Sequence, residues 1–138
     1  MKLEAQWIVG FVDGEGCFHV SINGHKEMKL GWQVLPEFTV VQHKRDVKIL
    51  YALKAFFGCG VVRTNHEDRM AYRVRDLNHL MEKIIPFFEK HQLKTIKYVE
   101  FKRFRKVLLK MQSKKHLTKA GLKEIQHLKE QMNRNRPS

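Results

Sequence analysis

Two acidic residues, Asp13 and Glu15, follow a run of apolar residues and are separated from each other by a glycine. The spacing of the run from Leu3 to Val12 predicts a helix, and both acids fall at its C-terminal end. A carboxylate is disfavoured there by roughly 0.3–1 kcal/mol, because the negative end of the helix dipole repels it. A divalent cation bound by a carboxylate and by nearby carbonyl groups would turn this repulsion into attraction. The alternative is a helix end with two solvated acids, capped by Gly14 and Gly16.

The helix in front of these acids has two faces that both favour burial. One face carries Ile8, Phe11 and Val12, and the other carries Trp7, Gly10 and Gly14. A helix that is apolar on every side lies in a core, in a membrane or between subunits, and ten residues are fewer than the ~20 that span a bilayer. Gly10 and Gly14 leave room for another backbone to approach closely. We therefore expect a helix-to-helix contact on the glycine face.

The same segment, Ile8 to Gly16 with the sequence IVGFVDGEG, resembles the nine-residue signature of the LAGLIDADG homing endonucleases. Gly10, Asp13 and Gly16 match its glycine, its first acid and its final glycine, and Glu15 matches its last acid. In that family the last acid binds the catalytic metal ions, so the resemblance implies this role for Glu15. It implies a structural role for Asp13. A Glu in place of the more usual Asp makes the carboxylate one methylene longer.

The length and composition indicate a single globular domain. The 138 residues are 43% hydrophobic, so we expect one domain over residues 1–138, with a frayed tail over residues 132–138. No run is long enough to cross a membrane and no signal-peptide pattern is present, which favours an intracellular protein without a membrane partner. Its compartment stays open between a chloroplast or mitochondrion and the bacterial cytoplasm. Cys17 and Cys59 lack zinc-ligand spacing and are expected to be reduced thiols.

The net charge of +13 is distributed unevenly along the chain. Residues 1–41 contain three Lys or Arg against five Asp or Glu, a net charge of −2, whereas residues 42–138 contain 24 against nine, a net charge of +15. Such an excess favours a polyanionic partner, and nucleic acid is a better candidate than a membrane because no helix has one lipid-facing side. The alternative is a basic soluble protein without such a partner.

Alternating apolar and polar residues predict four strands. Cys17 to Asn23 and Trp32 to Val41 form one hairpin around a turn at residues 24–31, and Val61 to Asn65 and Met70 to Val74 form a second. Such a sheet can pack one face on helices and place a polar, basic face in the major groove of DNA. An ordinary solvated sheet face would have a similar pattern.

Helical patterns separate and follow the hairpins. They run from Arg45 to Phe57, from an N-cap at Asp76 until Pro86 interrupts the helix, from Lys94 onward, and after Thr118. The resulting order is α-β-β-α-β-β-α, an α+β fold with a four-stranded antiparallel sheet. This order matches the fold of the LAGLIDADG family, and the resemblance covers nearly the whole chain.

The chain contains one copy of the signature. Family members with one motif act as homodimers whose motif helices pair at the two-fold axis, so the resemblance implies a homodimer on a long pseudo-palindromic DNA site. It implies that Trp7, Gly10, Asp13 and Gly14 lie at the dimer interface. This agrees with the two-faced helix expected from the apolar pattern alone.

The implied reaction is hydrolysis of both strands of duplex DNA by an intron-encoded homing endonuclease. The resemblance implies that Glu15 of each subunit binds divalent metal, with Mg²⁺ as the expected ion. It also implies that Gln42 and Lys94 position the attacking water, and Lys97 is an alternative to Lys94. For either polar residue the competing interpretation is a surface group at the end of an element.

The outward positions of the strands are the candidates for contacts with bases. On the alternation and the resemblance these are His19, Ser21, Asn23, Gln33, Glu37, Thr39, Arg63 and Asn65. Arg69 and Arg73 are also candidates, although the alternation leaves the face of the last strand open. Lys26 and Lys29, in the first turn, are expected to contact phosphates, which position the protein without specifying sequence.

Three other functions stay open on sequence grounds. The chain could be an intron RNA splicing maturase of the same fold, or a DNA-binding protein without catalysis. A restriction-like nuclease is the third, because Gln42, His43 and Lys44 follow an apolar strand that contains Glu37. The intact Glu15 argues against the first two functions.

Overall fold

The computed structural model describes residues 1–134. The first half contains α1 Ala5–Glu15, β1 Gly16–Gly24, β2 Trp32–His43, α2 Val47–Phe57, β3 Val61–His66 and β4 Arg69–Val74. It is followed by α3 Leu77–His79, a π-helical turn Leu80–Ile84, α4 Ile85–Lys90, α5 Lys97–Gln112 and α6 Lys119–Arg134. These elements confirm the order α-β-β-α-β-β-α.

The four strands form one antiparallel sheet, as predicted, and their order in it is β1-β2-β4-β3. In the first hairpin Gly16 lies opposite Val40 and His19 lies opposite Glu37. The neighbouring ladder places Thr39 opposite Arg73. Because residues that face each other across a ladder point to the same side, this register assigns each paired strand residue to one face of the sheet.

One face of the sheet is packed on the helices around a cluster of aromatic rings. The Phe18 ring lies 5.2 Å from that of Phe38 and 5.3 Å from that of Phe104, measured between centroids. All three side chains are fully buried, and burial of each contributes about 1.5–3 kcal/mol to stability. Helix α1 joins this core through Ile8 and Val12. Within the described residues no helix is both long and apolar enough to cross a bilayer.

Two glycines after α2 allow the chain to enter the second hairpin. Gly58 has a φ of 71° and ends α2 in the left-handed conformation, which glycine adopts readily at the C-terminus of a helix. Gly60 has a φ of 89°, and a Cβ there would lie 2.8 Å from the carbonyl oxygen of Arg73. The Tyr72 hydroxyl donates to the Cys59 carbonyl at 2.9 Å. Burial raises the pKa of the Tyr72 phenol, which keeps it a hydrogen-bond donor.

The helix that begins after Asp76 continues past Pro86, contrary to the sequence prediction. Asp76 is the expected N-cap, since its carboxylate accepts from the His79 amide at 3.0 Å. The chain then widens into a π-helical turn directly before α4, which carries Pro86 in its first turn. Proline lacks an amide hydrogen and its ring crowds the preceding turn, so a wider turn accommodates it without ending the helix.

The start of the long helix and the extent of the last helix also differ from the sequence prediction. Lys94 does not open the long helix, because α5 begins at Lys97. The tail predicted to fray from residue 132 is helical to Arg134, and Met132 is buried against the core. Residues 135–138 of that predicted tail lie outside the described residues.

Candidate nucleic-acid and metal site

The C-terminal end of α1 is attached to the segment before α5 by the Asp13 carboxylate. Asp13 accepts hydrogen bonds from the Lys94 amide at 2.9 Å and from the Thr95 amide at 3.2 Å. It also accepts from the Thr95 hydroxyl at 2.8 Å. Three donors on a single carboxylate fix the position of the helix end.

Glu15 is the last residue of α1, and its side chain is exposed. Gly16 follows and begins β1, and a Cβ at this position would lie 2.6 Å from the Val12 side chain. Glycine is therefore required where the chain turns from helix to strand. This tight junction holds the Glu15 backbone at the point where the helix ends.

A lysine already lies at this negative helix end. The Lys97 ammonium donates to the carbonyl oxygen of Gly16. The Lys94 side chain is exposed, whereas its amide is bound to Asp13. The two candidate lysines are thus placed differently, because Lys97 contacts the junction through its charge and Lys94 through its backbone.

Gln42 lies in the last part of β2, which continues past the first residue of β1. It lies two residues after Val40, which pairs with Gly16, and it faces the same side of the sheet as Val40. A strand rises about 3.3 Å per residue, so this half-buried amide lies roughly 7 Å along the strand from that pair. The strand register therefore brings Gln42 to the same end of the sheet as Glu15.

The oxygen donors here suit a hard divalent cation such as Mg²⁺, which prefers carboxylate and carbonyl oxygen. Within residues 1–134, however, no group of three or more His, Cys, Asp and Glu side chains could hold a metal ion. Asp13 is occupied by its three donors. Among the described residues, Glu15 is therefore the carboxylate that stays available for a metal ion at this junction.

The surface of α1 opposite the core is apolar and nearly flat. Nothing within 4 Å would meet a Cβ at Gly10 or at Gly14. Trp7 is 45% exposed, and its ring stacks on Phe11 with centroids 4.9 Å apart. Phe11 was expected on the face of Ile8, but it is only half-buried because it packs beside Trp7. We call the surface formed by Trp7, Gly10, Phe11 and Gly14 the open face of α1.

The other candidate surface is the outward face of the sheet, which is the side away from the helices. The register places on it His19, Ser21, Asn23, Gln33, Glu37, Thr39, Arg63, Arg69 and Arg73. The register also gives the face of the last strand, because Arg69 lies opposite His43 and Arg73 lies opposite Thr39. Asn65 lies at an irregularity of the β3–β4 ladder, and its side chain reaches this face because it accepts a hydrogen bond from Arg73 at 2.8 Å. The exposed Lys26 and Lys29 lie in the loop that joins β1 to β2.

Arg75 belongs to this outward face and was missed from the sequence. It follows the last residue of β4, and its Nε atom donates to the Glu37 carboxylate at 2.6 Å. Alternation by two from Arg73 is the signal that could have identified it. The sequence prediction ended at Val74, where the strand pattern ends.

The arrangement contradicts the restriction-like alternative. Glu37 points outward with His19, whereas Gln42 points toward the helices with Val40. The Lys44 ammonium instead forms an ion pair with Asp68 at 3.1 Å. An acid and an amide on opposite faces of one sheet cannot bind the same ion, so these residues do not form that type of site.

Solved structures resemble this chain over nearly all of its length. The homing endonuclease I-TnaI is 54% identical, with a TM-score of 0.94 over 99% of this chain and 92% of the other. The meganuclease I-SmaMI, bound to uncleavable DNA, is 36% identical with a TM-score of 0.93. The match covers 96% of this chain and 46% of I-SmaMI.

Sequence comparison also finds endonucleases. The probable intron-encoded endonuclease 2 of Neurospora crassa is 36% identical over 125 residues, which are 89% of this chain and 28% of that protein. The chain thus spans little more than a quarter of that relative's length. The sequence profile described as LAGLIDADG endonuclease matches residues 8–108, from the start of the motif to within α5. The chain therefore belongs to the LAGLIDADG endonuclease family.

Proposed function

We propose that this protein is a site-specific, double-strand DNA endonuclease of the homing type that acts as a homodimer. The observation that carries the proposal is the exposed carboxylate of Glu15, held at the end of α1 beside a helix face that the chain leaves open. The active centre would be completed when a second copy brings its own Glu15 to the same place. The name of the Neurospora crassa relative supports a gene within an intron.

The outward face of the sheet and the net charge of +13 support duplex DNA as the substrate. Arginine and amide side chains on strands can form paired hydrogen bonds with base edges in the major groove. Lys26 and Lys29 would contact phosphates beside it. I-SmaMI, whose half resembles this chain, binds DNA.

The homodimer is supported by the open face of α1, where Gly10 and Gly14 leave room for another backbone to approach. The match to this chain covers 46% of I-SmaMI, so that protein has room for two units of this fold. Pairing through Trp7, Gly10 and Gly14 would place the two helix ends, each held by Asp13, side by side.

The residues of the junction would divide the work of hydrolysis. Divalent metal ions, with Mg²⁺ as the proposed species, would lower the pKa of a water molecule and neutralise charge on the scissile phosphate. Glu15 would hold them, and Gln42 would orient the water through its amide. Lys94 has an exposed ammonium that can approach DNA, whereas Lys97 is engaged by the Gly16 carbonyl. We therefore favour Lys94 for the contact with the reacting phosphate.

The test is Glu15→Gln, which keeps the shape of the side chain and removes its charge. Cleavage of a target duplex in Mg²⁺ should be abolished, while binding in EDTA should be retained, because affinity comes from the basic and polar face of the sheet. Removal of a charge that repels the DNA backbone could only strengthen binding. If Glu15→Gln cuts at the parent rate, Glu15 has no part in the mechanism, and the function proposed on it is wrong.

Asp13→Asn is the contrasting variant at the same helix end. It removes charge from a carboxylate that accepts three hydrogen bonds and should lower stability by about 1–3 kcal/mol. Denaturant unfolding separates the two acids, since Glu15→Gln removes a charge that the helix dipole repels and should raise the midpoint slightly, whereas Asp13→Asn should lower it. If both variants unfold at the parent midpoint, the structural role of Asp13 is wrong.

A further inference from the structure

Glu37 is the one acidic residue that the four described strands place on the outward face of the sheet. A carboxylate on a surface that meets a polyanion should weaken binding unless another group neutralises it. The Glu37 side chain is only 15% exposed, so most of it is already covered. A carboxylate this enclosed is poorly placed to accept a hydrogen bond from a cytosine amino group in the groove.

Two arginines, Arg73 and Arg75, lie beside this carboxylate, and they differ in their contacts and in their exposure. The Nε atom of Arg73 lies 3.9 Å from the Glu37 oxygen, and its terminal nitrogen donates to the Asn65 side chain at 2.8 Å. Arg73 is 22% exposed, whereas Arg75 is 64% exposed. Arg73 is therefore held within the surface, and Arg75 extends from it.

The contact with Glu37 holds the Nε side of the Arg75 guanidinium in place and leaves its two terminal nitrogens available for hydrogen bonds with DNA. The hydrogen bond uses Nε of Arg75, so its two terminal nitrogens have no partner among the described residues. Arg75 borders two shallow depressions of the outward face, one with Ser21 and Asn23 and the other with Arg63. A planar fork held in this way loses less side-chain entropy when it binds.

We infer that Arg75 specifies a guanine in each half of the DNA site and that Glu37 is the residue that positions it. Paired hydrogen bonds from an arginine fork to O6 and N7 are the commonest specific contact with guanine. The inference rests on the proposed function, and it changes the role expected for Glu37 from contact with a base to orientation of the arginine that makes the contact. The sequence preference at one position of the site is then set by two residues that lie far apart along the chain.

The experiment is selection of bound sites from a randomised duplex library in EDTA, followed by sequencing. The parent should select guanine at one position in each half-site. Arg75→Lys and Glu37→Gln should each reduce that preference by roughly tenfold at the same position, because a lysine cannot form the fork and a neutral amide holds it less firmly. The double variant should lose no more than either single variant, since both act through one contact.

Arg69→Lys is the matched control, because Arg69 lies on the same face and has no contact with Glu37. It should leave the preference at the Arg75 position unchanged. The inference is overturned if Arg75→Lys alters no position, or if Glu37→Gln alters a different position from Arg75→Lys. A parent protein that binds no duplex overturns the proposed function as well, whereas selected sites without an Arg75-dependent guanine overturn this inference alone.

Discussion

The open face of α1 and the outward face of the sheet are both left uncovered by the described residues, but their chemistry is opposite. The helix face consists of two glycines flanked by the stacked rings of Trp7 and Phe11. The sheet face carries histidine, amide, hydroxyl and arginine side chains, with one enclosed carboxylate. Both surfaces lie outside a well-packed core, since Phe18 and the residues around it are buried.

This difference shows how one domain can provide two distinct kinds of recognition. Gly10 and Gly14, beside the rings of Trp7 and Phe11, let the backbone of another helix approach closely, so the helix face fits a second helix. The sheet face fits phosphates and base edges, because its arginine, amide and hydroxyl groups can form hydrogen bonds with them. Glu15 lies at the end of the first surface, so assembly and chemistry are joined through α1.

The largest expected effect is on the open face of α1. Gly10→Leu should abolish the proposed homodimer, because the side chain would occupy the space where the partner's backbone approaches. The isolated domain should not be destabilised, since nothing lies within 4 Å of a Cβ at this position. A gain of up to about 1 kcal/mol in helix propensity is even expected. Sedimentation velocity and denaturant unfolding measure the two quantities separately.

Ala120→Leu is the control for Gly10→Leu, since it adds bulk to an exposed position of α6. It should leave the sedimentation coefficient unchanged. If Gly10→Leu sediments as the parent does, the open face of α1 is not the dimer interface, and the proposal that this surface binds a second chain is wrong.

A smaller effect is expected at the edge of the sheet face. Replacing Lys26 and Lys29 by Gln should weaken binding to all duplexes alike, and the slope of log K against log salt should decrease by about 0.9 for each phosphate that the variant no longer neutralises. Lys48→Gln and Lys54→Gln are the controls, because both are exposed on α2 and away from the outward face. Fluorescence titration at several salt concentrations measures the slopes. Equal slopes for both pairs would mean that the loop does not contact DNA.

Much of the fold follows from periodicity in the sequence. Strict alternation around Phe18 and Val20 identifies β1 and its buried side, and the left-handed Gly58 marks the end of α2. The signature glycines identify α1 as a helix with an open side. These elements were predictable because the local pattern and the tertiary packing favour the same structure.

The structure differs from the sequence prediction where contacts between distant residues override the local pattern. Pro86 continues a helix because a π-helical turn precedes it, and no sequence period predicts that turn. Lys94 precedes α5 because its amide binds Asp13, a residue 81 positions earlier. Arg75 lies past the end of its strand, where the predicted strand pattern stops, and its contact with Glu37 shows that the alternation from Arg73 continues to it. Met132 is buried although it lies near the end of the chain.

The most direct test of the central claim is a mixed dimer with Glu15 in only one of its two chains. Parent and Glu15→Gln chains with different tags are co-expressed, and the mixed species is isolated on both tags in turn. A parent dimer that carries the same two tags is the control. If the active centre forms between two chains, the mixed dimer should bind the target site like the control and make no double-strand breaks in Mg²⁺. A mixed dimer that breaks both strands at the control rate would contradict the account, because each chain would then hold a complete active site.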